Sequence, residues 1–180
     1  MVKILISDPI AEEGIEKLDQ AGFVLDHKYD LSAEELKDEI KEYEGIVVRS
    51  GTKLRAPILE SAENLKIIVR AGVGLDNIDL DRADDLDIEV QNTPAASSNS
   101  VAELALGHML SLARNIPRGT SSLKNKQWLK SDLKGSELSG KTLGIIGIGR
   151  IGSLVAKKVM ALGMEVLAFD RFIDESPVKG

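Results

Sequence analysis

The chain has 180 residues, 43% of them apolar and 29% charged, which suits a globular protein of one to one and a half small domains. Its net charge of −6 and pI near 5.1 argue against nucleic acid as a main partner, because a phosphate-binding surface carries a basic excess. The absence of cysteine excludes a disulfide framework and a thiolate metal site, and with no signal-peptide pattern and no run of about 20 apolar residues, a cytoplasmic chain without a membrane partner is expected.

Residues 2–6 read as a buried strand. A helix is expected from Asp8-Pro9, with Ile10, Ile15 and Leu18 at roughly helical spacing and Gly22 at its end. Residues 23–25 suggest a second short strand, and Ser32-Ala-Glu-Glu35 is a capping box that opens the next helix. Residues 45–49 predict a third strand, 56–62 a short helix, 65–69 a fourth strand and 88–90 a fifth. Strands separated by helices of this length imply right-handed crossovers and a parallel sheet. Unbroken runs such as Ile67-Ile68-Val69 fit strands covered on both faces. Residues 1–99 therefore read as an α/β, flavodoxin-like parallel-sheet domain of the kind that binds substrate.

Asn92-Thr-Pro94 and the polar residues to Ser100 look like a linker. A long helix follows over 100–114, with Val101, Leu104, Ala105, Met109 and Leu112 crowding most of its circumference. Such a helix is buried on several sides, between domains or between subunits. Pro117 is expected to bend or end it. Residues 119–139 are a polar arm that holds Trp128. The run Lys141-Thr-Leu-Gly-Ile-Ile-Gly-Ile-Gly-Arg-Ile-Gly152 is then a strand that enters a glycine-rich turn and a helix. That helix should bury Ile151, Val155, Val159 and Leu162 and stop at Gly163, before a strand over 164–169 that closes at Asp170. Residues 100–180 thus read as an interdomain helix, an arm and the first βαβ unit of a Rossmann dinucleotide-binding domain.

The chemistry is concentrated in Gly147-x-Gly149-x-x-Gly152. The motif follows a strand, opens a helix, and has an acidic residue 18 positions after its last glycine, at the end of the next strand. Gly147 permits the tight turn, Gly149 lets a pyrophosphate approach the backbone, and Gly152 allows close helix packing. The helix N-terminus offers unpaired N–H groups and a positive dipole end to phosphates. Asp170 can accept hydrogen bonds from the adenosine ribose and repels a 2′-phosphate, so NAD is the expected cofactor.

With that motif, Val48-Arg-Ser-Gly-Thr52, Val69-Arg-Ala-Gly-Val-Gly-Leu-Asp-Asn-Ile-Asp79, Asn92-Thr-Pro94 and Val101-Ala-Glu-Leu104 occur in an order that resembles the D-isomer-specific 2-hydroxyacid dehydrogenases, most closely their D-3-phosphoglycerate dehydrogenase branch. The resemblance implies that Arg49 and Ser50 face the phosphate end of a substrate, that Gly72, Val73 and Gly74 offer backbone N–H groups to its carboxylate, and that Arg70 is a second anion contact. For either arginine the alternative is a surface ion pair. It further implies that Arg150 and Ile151 contact the pyrophosphate through their backbone. Val73 stands where some relatives have Thr.

In the family, an Arg, a Glu and a His perform the chemistry, and the resemblance places all three beyond residue 180. His27 and His108 read as structural, so no catalytic residue and no metal ligand is assigned. The expectation is therefore an incomplete, inactive portion of an NAD-dependent enzyme that oxidises 3-phosphoglycerate to 3-phosphohydroxypyruvate in serine synthesis. Alternatives are a glyoxylate, hydroxypyruvate or D-lactate reductase of the same family, or a non-catalytic NAD-binding or interaction module. The resemblance also implies a homodimer formed through residues 100–135.

Overall fold

Apolar strands that alternate with amphipathic helices bury both faces of a sheet when successive strands run the same way. The computed structural model describes residues 1–173, 175, 177 and 178 and divides the chain into two units, residues 1–96 and 97–180. The first unit runs β1 (Lys3–Ile6), α1 (Glu12–Gln20), β2 (Val24–His27), α2 (Ala33–Glu39), β3 (Gly45–Val48), α3 (Ala56–Leu59), β4 (Ile67–Arg70), α4 (Leu80–Asp85) and β5 (Glu89–Asn92). Its five strands are all parallel, in the order β2-β1-β3-β4-β5. This is the flavodoxin-like order, and it reverses direction between β1 and β3, where the carboxyl ends of strands leave a crevice.

Alternation along the strands sends side chains to two cores. Leu5, Ile46, Val48 and Ile68 pack with Leu36, Ile40, Tyr43, Leu54 and Leu59 on one face. Ile4, Ile6 and Val47 pack with Ile10, Leu18, Phe23 and Leu25 on the other. The central strand β3 is buried at all four positions, as a doubly covered strand must be. The capping box at the start of α2 forms as expected: Glu35 N donates to Ser32 Oγ, and Ser32 N donates to Glu35 Oε2.

Several local expectations are corrected. α1 starts at Glu12, not at Asp8-Pro9, because the Asp8 carboxylate is committed to another loop. α4 was not foreseen; Asp79 caps it by accepting from Arg82 N, in a segment too short to show a periodicity. In the second unit, α5 (Ser98–Ala113) begins within the stretch read as linker. It ends before Pro117, at Asn115 in the left-handed region (φ 53°). Pro117 instead sits in the first turn of a further helix, α6 (Ile116–Lys124), where its missing N–H costs nothing. Val101, Leu104 and Leu112 of α5 are exposed, so its apolar circumference is not covered within this unit.

β6 (Thr142–Ile146), α7 (Arg150–Ala161) and β7 (Glu165–Phe169) complete the second unit as a parallel βαβ motif. α7 buries Ala156 and Val159, while Ile151 and Leu162, expected inside, are 40% and 38% exposed. One face of the two-stranded sheet turns toward α7; the other leaves Ile146, Leu167 and Phe169 at 91%, 70% and 67% exposure. Both described hydrophobic clusters lie in the first unit.

This distribution predicts unequal costs for similar truncations. Ile68→Ala should destabilise the first unit by about 2–5 kcal/mol, the usual range for a fully buried aliphatic side chain. Ile146→Ala should stay within about 0.5 kcal/mol, since its side chain is already in solvent. Urea unfolding followed by hydrogen exchange, which resolves the two units, measures both.

Candidate functional site

In the second unit, the residues singled out from the sequence meet at the joined ends of β6 and β7. Gly147 adopts φ +93°, which an L side chain rarely tolerates, and its N–H extends the ladder by donating to Phe169 O at 2.7 Å. A methyl group on Gly152 would run into the Gly147 carbonyl, so this glycine permits the first turn of α7 to press against the turn it leaves. Gly149 is different. Its φ of −67° suits any residue, and a methyl group there meets nothing within 4 Å. The fold itself does not require glycine at that position.

Gly149 is also the N-cap of α7, and no side chain caps the helix. The first-turn N–H groups, including those of Arg150 and Ile151, lack intrahelical partners by the geometry of the α-helix, and they carry the positive end of its dipole. Asp170 closes β7 beside them. Its carboxylate accepts from Ile148 N (2.9 Å) and from Phe172 N (2.9 Å). The Phe172 amide, helped by those of Ile148 and Ile173, outweighs desolvation and holds the carboxyl below the ordinary carboxylate range. Asp170 therefore stays an ionised acceptor at neutral pH and also fixes the shape of the turn, a second role not foreseen from sequence.

In the first unit, the remaining candidates lie at the carboxyl ends of β3 and β4, which pair with Val48 opposite Arg70. Arg49 and Ser50 are exposed on the loop after β3, and the Arg49 guanidinium donates to Pro9 O at 3.4 Å. The Arg70 guanidinium lies over Gly72, close enough that a side chain on Gly72 would displace it. Its Nε is shielded from solvent with no hydrogen-bond partner among the described residues. Neither arginine forms an ion pair among the described residues. Gly72 N is committed to Arg70 O at 2.7 Å, and Asn92 Nδ2 holds Val73 O at 2.7 Å. These bonds orient the loop while the N–H groups of Val73 and Gly74 donate to no backbone carbonyl described here.

Sequence reading missed Asp8 and Asn77. Asp8 Oδ2 accepts from Arg49 N (2.6 Å) and Thr52 N (3.1 Å). Asn77 Nδ2 donates to Arg49 O (2.8 Å) and Thr52 O (2.7 Å). Asp8 follows β1 at the sheet edge where α/β proteins bind ligands, and this position was the available signal. His27 bonds the Tyr29 hydroxyl (3.0 Å) and His108 is exposed on α5; neither joins the candidate residues. No group of three or more potential metal ligands occurs among the described residues, and no helix there is long and apolar enough to cross a membrane.

Comparison with known proteins gives a consistent result. Residues 4–174 match the family model described as D-isomer specific 2-hydroxyacid dehydrogenase, catalytic domain. The chain is 51% identical over 173 residues to a D-3-phosphoglycerate dehydrogenase of Methanocaldococcus jannaschii, a match covering 96% of this chain and 33% of that protein. It is 49% identical over 171 residues to a hydroxypyruvate reductase of Thermotoga maritima, covering 93% and 55%. Among solved structures, the NAD+-bound 3-phosphoglycerate dehydrogenase of Entamoeba histolytica superposes with a TM-score of 0.77 at 35% identity, covering 97% of this chain and 55% of that one. The chain thus spans about a third to a half of the length of these relatives.

Two outcomes follow from the turn geometry. Gly152→Ala should lower the melting temperature of the second unit, because the methyl group must displace backbone, whereas Gly149→Ala should lower it less, since its methyl group meets nothing and only the weaker N-cap preference is lost. Carbon-detected titration of Asp170 should give a midpoint below the ordinary value near 3.9. The sign follows: a carboxyl depressed in the folded state stabilises the turn above its unfolded-state midpoint, and that contribution is lost as pH falls through the depressed one.

Proposed function

Because the chain belongs to the D-isomer specific 2-hydroxyacid dehydrogenases, whose model matches residues 4–174, we propose that it supplies the substrate and pyrophosphate sites of a cytoplasmic, NAD-dependent dehydrogenase that oxidises 3-phosphoglycerate to 3-phosphohydroxypyruvate. The observation that carries the cofactor side is Gly149. A residue that the fold does not require to be glycine stands bare at an uncapped helix N-terminus, beside an ionised aspartate. A pyrophosphate that approaches the backbone there supplies the missing reason.

In this reading Gly147 sets the turn, and Gly149, Arg150, Ile151 and Gly152 direct backbone N–H groups at the pyrophosphate. Asp170 accepts from the ribose hydroxyls and repels a 2′-phosphate. NAD held by these residues would supply the hydride acceptor for oxidation at C2 of the hydroxy acid. Arg49 and Ser50 hold the phosphate end, with Arg70 as a second cation; a guanidinium fork suits phosphate oxygens. The N–H groups of Val73 and Gly74 take the carboxylate, and Gly72 leaves room for the Arg70 side chain. No proton-transfer role is given to His27 or His108. Exposed Leu104, Leu112, Leu123 and Trp128 support a homodimer through residues 100–135.

The likeness to the Thermotoga maritima hydroxypyruvate reductase favours a second reading, in which the same site takes an unphosphorylated acid. Arg49 separates the two, because its removal should matter only when a phosphate is bound.

Isothermal titration calorimetry tests the cofactor assignment. NAD should bind more tightly than NADP, and Gly149→Ala should weaken NAD at least about tenfold, since the methyl group occupies the pyrophosphate's place. Asp170→Asn should narrow the preference for NAD over NADP. Equal binding by wild type and Gly149→Ala would contradict the assignment.

A further inference from the structure

We propose that Asp8 and Asn77 are positioning residues that clamp the Arg49–Thr52 loop from opposite sides and so fix the anion subsite of the substrate pocket. The proposal rests on the reading of Arg49 as the phosphate contact. A loop that carries a phosphate-binding arginine must be held in one conformation, or ordering it opposes binding. The loop after β3 has no regular structure to hold it. Two side chains from elsewhere do so instead.

The arrangement is complementary. Asp8 collects the N–H groups of Arg49 and Thr52, at 2.6 and 3.1 Å. Asn77 collects their carbonyls, at 2.8 and 2.7 Å, with its Nδ2. Both polar groups at each end of the four-residue loop are therefore satisfied by two side chains. The loop wraps closely around the carboxylate: a side chain on Gly51 would meet Asp8 Oδ1 at 2.5 Å. Ser7 and Thr52 add a hydroxyl contact at 3.1 Å on the same side.

Asn77 is itself fixed. It is 5% exposed, its carbonyl accepts from Leu54 N at 2.9 Å, and a parallel bridge joins Leu54 to Ile78. Its amide orientation is set by chemistry, because turning it over would place Oδ1 against two carbonyl oxygens. In the observed orientation Oδ1 has no partner among the described residues. An asparagine kept at that cost serves its Nδ2 bonds.

Asn77 also lies on the segment that continues from Gly72-Val73-Gly74. One side chain thereby ties the phosphate loop to the carboxylate loop and sets the distance between the two ends of a bound phosphorylated acid. The clamp reaches the substrate through Arg49 and Ser50 and touches no reacting atom.

The test is a titration of the 180-residue chain, followed by amide NMR, with 3-phosphoglycerate and with D-glycerate. Asn77→Asp reverses the donor facing the two carbonyls with little change in size. Asp8→Ala removes the acceptor, and Asp8→Asn restores one. The expected result is about tenfold weaker 3-phosphoglycerate binding in Asn77→Asp and Asp8→Ala, with D-glycerate changed less than about twofold and recovery in Asp8→Asn. General destabilisation would weaken both ligands alike, and a melting curve for each variant identifies it. If Arg49→Ala loses phosphate selectivity while Asn77→Asp and Asp8→Ala keep it, the clamp is overturned and the phosphate reading stands. If Arg49→Ala binds both ligands as wild type does, or if wild type binds neither, the phosphate reading fails and the clamp with it.

Discussion

Parallel strands all release their following loops at the same edge of the sheet, and the chemistry described here depends on that constraint. In the first unit the carboxyl ends of β1, β3 and β4 are neighbours by pairing, so Asp8, Arg49 and Arg70 come to one edge although 62 positions separate the first from the last. In the second unit the same rule joins the glycine turn after β6 to Asp170 after β7. Neither grouping needs a long-range contact beyond the ladder itself.

The two units spend this constraint differently. The first covers its sheet on both faces and uses the rigidity to hold two loops through side-chain bonds to backbone, as Asp8 and Asn77 do. The second keeps its turn in shape largely with backbone, through Gly147 N to Phe169 O and the contact of Gly152 with Gly147, and adds one side chain, the Asp170 carboxylate that accepts from Ile148 N. A backbone-built turn leaves N–H groups facing outward, which suits an anion that is recognised by shape and charge. A side-chain-held loop can instead present arginines, which suits a substrate phosphate.

Much of this was legible in the sequence, for identifiable reasons. Unbroken apolar runs marked strands β1, β3 and β4 because both faces of those strands are covered. The Ser32 capping box and the spacing from Gly152 to Asp170 are local signals and survive intact. What escaped was either short or non-local. α4 is too brief to establish a period, and α6 escaped because Pro117 reads as a terminator where it is an initiator. Ile151 and Leu162 fit a helical stripe but stand at the two ends of α7, in its first turn and at its C-cap, and stay partly exposed. Asp8 and Asn77 act on residues 25 to 44 positions away, and no spacing rule connects them to their loop.

The measurement that tests the account most directly is a map of amide shifts in the 15N-labelled chain as NAD is added. The largest changes should fall on residues 147–153 and Asp170, where uncapped N–H groups and the ionised carboxylate meet. Changes confined to other residues, with the glycine turn unmoved at saturation, would contradict the assignment of this turn as the pyrophosphate site.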